Sequence, residues 1–199
     1  APLVARPLRF EVRQRRFVNG EPAVALDEGD VRAAVEACAA EGVEAIAICF
    51  LHSYLDVADE ERAAAIAREA APSIHVTTSS DVVREYKEYE RFSTAALNAY
   101  VMPVMDRYLQ RLESRLSEAG YREPIEMMKS SGGLMRASTA RRYPVETLLS
   151  GPAAGVMGAI HVAERSGFRN LITYDMGGTS TDVALIADGK VTRTAETRI

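Results

Sequence analysis

The sequence predicts an α/β protein, and three observations carry that prediction. Between Asp30 and Thr78 a helical pattern, an apolar run, a second helical pattern and another apolar run follow one another, which implies a crossover unit with parallel strands. From about Glu90 to Ala119 apolar residues recur every three or four positions, the period of a long amphipathic helix. Finally, Leu171–Tyr174 and Val183–Ala187 are apolar runs on either side of Asp175-Met176-Gly177-Gly178-Thr179-Ser180-Thr181-Asp182, which predicts adjacent antiparallel strands joined by a glycine turn.

The elements can be justified in order. Leu8 to Arg15 alternates, and Asn19-Gly20 is a hairpin signal, so the chain is expected to open with an antiparallel pair whose return strand Pro22 keeps at an edge. Asp30 is a candidate cap for a helix bearing Val31, Ala34, Val35 and Cys38 on one face, closed by Gly42. Ala45 to Leu51 reads as a strand covered on both faces. Asp56 can cap the next helix, which Pro72 ends, and Ile74 to Thr78 reads as the following strand.

In the long helix the expected stripe is Leu97, Val101, Val104, Tyr108, Leu112 and Leu116, with Pro103 bending it and Gly120 ending it. The charged run of Glu85, Lys87, Glu88, Glu90 and Arg91 before it reads as a solvated helix start. Ile125 to Met128 is a short strand that empties into Lys129-Ser130-Ser131-Gly132-Gly133, a setting that suits either a ligand or a plain loop. Ser150 is a candidate cap for a last helix opening with Gly151-Pro152-Ala153-Ala154-Gly155, in which Gly158 and Ala159 extend a small-residue face that admits close approach, either by a sheet or by a ligand.

Composition narrows the function classes. With 199 residues and 47% hydrophobic content the chain can bury one or two cores. A formal charge of −4 with dispersed Lys and Arg speaks against nucleic acid as a partner, and Arg13, Arg15 and Arg16 read as a solvated strand face. No apolar run reaches membrane-spanning length. Cys38 and Cys49 sit in apolar periodic segments, so both are expected to be reduced, buried thiols of a cytoplasmic protein. His52, His75 and His161 have no metal-ligand spacing, and no lysine follows a Walker-type glycine loop. The chain lacks an initiating Met, and Val191 to Ile199 follows a glycine turn without completing a domain, so a piece of a longer polypeptide is expected.

The chemistry concentrates in the Asp175–Asp182 octapeptide. Gly177 and Gly178 can take positive φ and let successive amides converge on an anion. Two flanking Asp would repel a bare phosphate but would hold a divalent cation bridging it, which points to magnesium nucleotide. The same residues can also simply satisfy their own turn.

The small-residue helix opening at Ser150-Gly151-Pro152-Ala153-Ala154-Gly155, followed by strand, Asp-Met-Gly-Gly-Thr, hydroxyls and Asp, resembles the connecting helix and second phosphate motif of the actin, sugar-kinase and heat-shock-chaperone ATPases. Val43–Tyr54, Glu88–Thr94 with Asn98–Val101, Lys129–Leu134, Ser150–Gly155 and Asp175–Asp182 resemble, in that order, the hydantoinase A and 5-oxoprolinase family. That family's first phosphate motif, nearer the N-terminus, has no counterpart here.

The resemblance implies an incomplete ribonuclease-H-like domain over residues 1–143. A connecting hinge helix over 144–169 and the start of a second such domain over 170–199 would follow. It implies ATP and Mg2+ as cofactors. Gly177, Gly178, Thr179, Ser180 and Thr181 would contact phosphates, Asp175 and Asp182 would serve as catalytic and magnesium-organising carboxylates, and Gly151, Pro152, Ala154 and Gly155 would form the hinge near the nucleotide. The implied activity is ATP-dependent opening of a cyclic amide such as hydantoin, N-methylhydantoin or 5-oxoproline, with a second hydantoinase-type subunit or fused domain as partner. These 199 residues alone are expected to be inactive. The alternatives it leaves are the ATP-using subunit of an acetone or ketone carboxylase and a non-catalytic nucleotide-sensing module.

Overall fold

A computed structural model describes residues 2–191, and the chain divides into two compact units, Ala1–Tyr121 with Arg141–Val145, and Arg122–Ala140 with Glu146–Ile199. After a 3-10 turn (Arg6–Leu8) the first unit forms a short antiparallel ladder of β1 (Arg15–Arg16) and β2 (Pro22–Val24) around Gly20, whose φ is 87°. The strand expected over Leu8–Arg15 appears only at its end. Upstream, Arg13 is drawn to Asp30 instead, its backbone N–H at 3.1 Å and its Nε at 2.7 Å. Arg16 is not solvated as expected: it is 8% exposed, ion-paired with Asp56 and Asp59 at 2.7 Å each, and donates to the Gly20 carbonyl.

The crossover unit is present. α1 (Glu28–Ala40) is capped by Asp27 rather than Asp30, with Asp27 Oδ1 accepting from the Asp30 amide at 3.0 Å. β3 (Ala45–Ile48) pairs in parallel with β4 (His75–Thr78), from Ala45 opposite His75 to Ile48 opposite Thr78. Between them runs α2 (Ala58–Ala70), which stops before Pro72 because proline has no amide to donate. Asp56 accepts from the Ala58 amide at 3.0 Å, one residue ahead of the N-cap Val57. Val31 and Val35 of α1 meet Ala63, Ala64, Ile66 and Ala67 of α2 and Val76 of β4 in one buried core. The alanines let the helices approach closely, and each buried Val or Ile contributes about 1.5–3 kcal/mol.

α3 (Ser79–Val82) leads to α4 (Glu88–Glu118), which runs through Pro103. Its buried face is Arg91, Ala95, Asn98, Ala99, Met102, Pro103 and Leu109, not the expected stripe, since Val104 and Tyr108 are 62% and 53% exposed. Small Ala95 and Ala99 allow close packing on β3 and β4, and the polar residues on this face are fully satisfied there. Arg91 is therefore part of the core rather than a solvated helix start.

The second unit begins with a hairpin of β5 (Glu126–Met128) and β6 (Leu134–Arg136), whose Lys129–Gly133 loop carries Gly132 and Gly133 at φ 80° and 89°. α5 (Ala137–Arg142) and a 3-10 turn (Pro144–Thr147) lead to α6 (Ser150–Arg165). Ser150 lies inside α6 and does not cap it; the cap position is Leu149, left-handed at φ 60° and without a capping side-chain bond. β7 (Leu171–Met176), β8 (Thr181–Ala187) and β9 (Lys190–Val191) form an antiparallel sheet against α6. The rest of the stretch expected after Val191 lies outside the described residues. Among the described residues no helix is long and apolar enough to cross a membrane.

Candidate functional site

β7 and β8 pair without a bulge from Leu171 opposite Ile186 to Met176 opposite Thr181, so the antiparallel hairpin expected from the apolar runs is present and extends one pair further than the Asp residues. Opposite residues in such a pair point to the same face. One face carries Leu171, Thr173 and Asp175 with Asp182, Ala184 and Ile186, and Ile186 is 1% exposed. The other carries Ile172, Tyr174, Met176, Val183 and Leu185, all more than half exposed.

Asp175 and Asp182 are thus directly opposite one another on the better-covered face, at the mouth of the turn, and neither has an ion-pair partner among the described residues. The turn is a tight four-residue connection, Gly177–Ser180, closed by the Gly177 amide donating to the Ser180 carbonyl at 2.9 Å. Neither glycine takes positive φ, so the turn does not use the freedom that their lack of a side chain allows. The Gly177 amide is consumed by the turn, whereas those of Gly178 and Thr179 donate to no backbone group among the described residues. A Cβ on Gly178 would meet nothing within 4 Å, so the approach to the turn is open.

On α6, a Cβ at Gly151, Gly155 or Gly158 would likewise meet nothing within 4 Å, so this small-residue face is not used for packing within its own unit. No group of three or more His, Cys, Asp or Glu able to hold a metal occurs among the described residues. A pair of carboxylates fits Mg2+, which keeps several waters and takes its remaining oxygens from phosphate; it does not fit a closed all-protein metal cage.

Sequence reasoning missed a buried polar network in the first unit. Glu60 of α2, fully buried, accepts from the amides of Phe50 and Ser80 at 2.8 Å each and from the hydroxyls of Ser79 at 2.6 Å and Ser80 at 2.7 Å. Arg91 donates to Ser79 Oγ, Phe50 O and Glu85 O, and its guanidinium lies over the rings of Tyr54 and Phe92. Asn98 donates to Arg142 O at 3.0 Å and Thr77 Oγ1 at 3.2 Å and accepts from Val145 N at 3.2 Å. Together these side chains tie the carboxyl ends of β3 and β4 to α4 and to the returning segment. The only sequence signal was the position of Arg91 and Asn98 within helical reach of an apolar face, which charge alone argued against. Both cysteines are free, and burial pushes the Cys49 thiol up to about 12 and raises Cys38 as well.

A parallel crossover unit, a helix with an open small-residue face and an acidic glycine hairpin define a mixed α/β chain with its polar chemistry at strand ends and in one turn. Residues 91–199 match the hydantoinase/oxoprolinase pattern and residues 1–71 the hydantoinase/oxoprolinase N-terminal region. The chain belongs to the hydantoinase/oxoprolinase family.

It is 37% identical over 188 residues to the caprolactamase subunit alpha of Pseudomonas jessenii, covering 94% of this chain and 27% of the relative. It is also 38% identical over 172 residues to 5-oxoprolinase of Saccharomyces cerevisiae, 86% of this chain and 13% of that protein. The crystal structure of the ATP-dependent caprolactamase from Pseudomonas jessenii superposes with a TM-score of 0.85 at 37% identity, over 92% of this chain and 26% of that one. A nucleotide-free acetone carboxylase structure gives 0.78 at 31% identity, over 91% and 26%. The chain therefore spans about a quarter or less of the length of these relatives.

Proposed function

We propose that the protein is the ATP-using chain of a cyclic amide hydrolase. The observation that carries this reading is the placement of Asp175 opposite Asp182 at the mouth of an open glycine turn. Like charges directly opposite on one sheet face are destabilising, and a divalent cation between them reverses the sign. In this reading Asp175 and Asp182 hold Mg2+. Gly178 and Thr179 present free amides to the terminal phosphates, with Gly177 shaping the turn and Ser180 and Thr181 adding hydroxyls. Gly151, Pro152, Ala154 and Gly155 give α6 a face that the nucleotide can approach closely.

Magnesium ATP, when bound, supplies the phosphoryl group that turns a stable amide oxygen into a leaving group. The contribution of the chain itself is electrostatic: carboxylates fixed by the β7–β8 register and amides fixed by the turn need no reorganisation as charge develops. We also assign residues 1–143 and 170–199 to two ribonuclease-H-like domains joined through 144–169, a cytoplasmic location, and a second subunit as partner. The subunit alpha designation of the caprolactamase relative supports the last of these.

The similarity to acetone carboxylase favours one other reading, phosphorylation of a ketone for carboxylation on the same scaffold. Steady-state ATP hydrolysis by the full-length protein with a panel of lactams, hydantoins and ketones tests both. Stimulation by lactams or hydantoins supports the first reading and stimulation by ketones alone the second. ATP turnover indifferent to every compound would remove both.

A further inference from the structure

In the first unit, away from the hairpin, one face of α2, the end of β4 and the turn after α3 line a half-open cavity of about 450 Å³. That volume suits a small molecule, and it lies at the carboxyl end of a parallel strand, where open α/β sheets commonly receive ligands. Its chemistry is ionic. Glu61 and Arg68 reach it from α2, Asp81 from α3, Arg84 from the following turn and Arg142 from the end of α5, with Thr78 on the wall.

These charges are not all available. Asp81 is already matched: Arg142 grips it with Nε at 3.0 Å and Nη2 at 2.8 Å, and the Tyr143 hydroxyl donates to it at 2.8 Å. Arg84 donates its Nε to the Tyr54 carbonyl at 2.9 Å, which fixes the guanidinium and leaves its Nη groups without an acceptor among the described residues. Arg68 and Glu61 have no hydrogen-bond or ion-pair partner there. What remains is two guanidinium forks and one carboxylate around a small polar space. Guanidinium forks recognise planar carboxylates in bidentate fashion, and an unpaired carboxylate recognises an ammonium.

We propose that this cavity binds an amino dicarboxylate, its two carboxylates on Arg68 and Arg84 and its ammonium on Glu61. The complement is specific in charge. A dicarboxylate without the amine leaves Glu61 facing like charge, and an amino monocarboxylate leaves one guanidinium unmatched. The site does not depend on the role assigned to the Asp175–Asp182 hairpin.

Calorimetry on the full-length protein tests it with L-glutamate, glutarate, 6-aminohexanoate and inorganic phosphate as probes. L-Glutamate is expected to bind roughly tenfold or more tightly than each of the other three. Arg68→Ala and Arg84→Ala should each weaken L-glutamate roughly tenfold or more, whereas Arg68→Lys, which keeps the charge but not the fork, should lose less. Glu61→Gln should abolish the preference for L-glutamate over glutarate. All three side chains are exposed, and an unchanged thermal melt establishes that each variant folds. Absence of saturable binding by L-glutamate, equal binding of glutarate or phosphate, or L-glutamate binding that none of the variants alters would overturn the proposal. The last outcome would place the amino acid elsewhere in the protein.

Discussion

Asp175 and Asp182 face each other across the β7–β8 ladder, one register step before the glycine turn. Each is exposed and has no Lys, Arg or His partner among the described residues, so the two carboxylates form a local repulsion that a turn built only for stability would avoid. That repulsion gives the hairpin two opposite responses to the same substitution.

Asp175→Asn in the full-length protein should lower turnover roughly 100-fold or more, about 3 kcal/mol of transition-state stabilisation, while changing the nucleotide dissociation constant far less. Without magnesium the same substitution should raise the melting temperature slightly, since it removes one of two opposed like charges. Rates, nucleotide affinity and melting with and without Mg2+ measure all three. Unchanged turnover in a folded variant would return Asp175 to the role of a turn residue.

Asn98 is the clip between α4 and the returning segment. Asn98→Ala should cost roughly 2–3 kcal/mol, because Val145 N and Arg142 O lose their partner in a buried setting. Asn98→Asp keeps the acceptor for Val145 N but cannot donate to Arg142 O, so it should be no better than the alanine variant. Urea unfolding of the two variants beside the parent gives the answer, and a loss below about 0.5 kcal/mol in both would show that the clip contributes little.

Glu60 and Arg91 meet through Ser79, whose hydroxyl donates to Glu60 and accepts from Arg91. Removing Arg91 should be the more severe, roughly 3–5 kcal/mol, because Glu60 then stays buried without a counter-charge, whereas Arg91 without Glu60 still has Glu88 at 3.9 Å. The double substitution Glu60→Gln with Arg91→Met should cost clearly less than the sum of the singles. Additive losses in a double-mutant cycle would mean that the two side chains act separately.

Cys49, with its thiol at about 12, presents roughly one thiolate in ten thousand at pH 8. Iodoacetamide should therefore leave Cys49 unlabelled in the native protein and label both Cys38 and Cys49 in denaturant. Rapid native labelling of Cys49, read by mass spectrometry, would show that the end of β3 opens to solvent.

Much of this protein was legible from local signals. The parallel pair β3–β4 followed from apolar runs set between helices of crossover length, and the β7–β8 hairpin followed from paired runs around two glycines. Helix ends at Gly42 and Gly120 followed from residues that adopt positive φ without cost, as they do at 69° and 87°. The Asp-Met-Gly-Gly-Thr signal is local too, which is why the candidate site could be named residue by residue before any packing was known.

Only the tertiary structure decided which side of α4 is core. Hydrophobicity favoured Val104 and Tyr108, but β3 and β4 accept the side with small Ala95 and Ala99, and buried carbonyls and hydroxyls there satisfy Arg91 and Asn98. The same reason explains Arg16, which periodicity assigned to solvent and Asp56 and Asp59 draw inward. It also explains Asp30, which lies inside the first turn with its carboxyl engaged by Arg13 and held below its ordinary range, while Asp27, paired with the same arginine, caps the helix. A charged side chain carries no sequence mark of the partner that will satisfy it, because that partner is distant along the chain and the free energy of burial depends on whether it arrives.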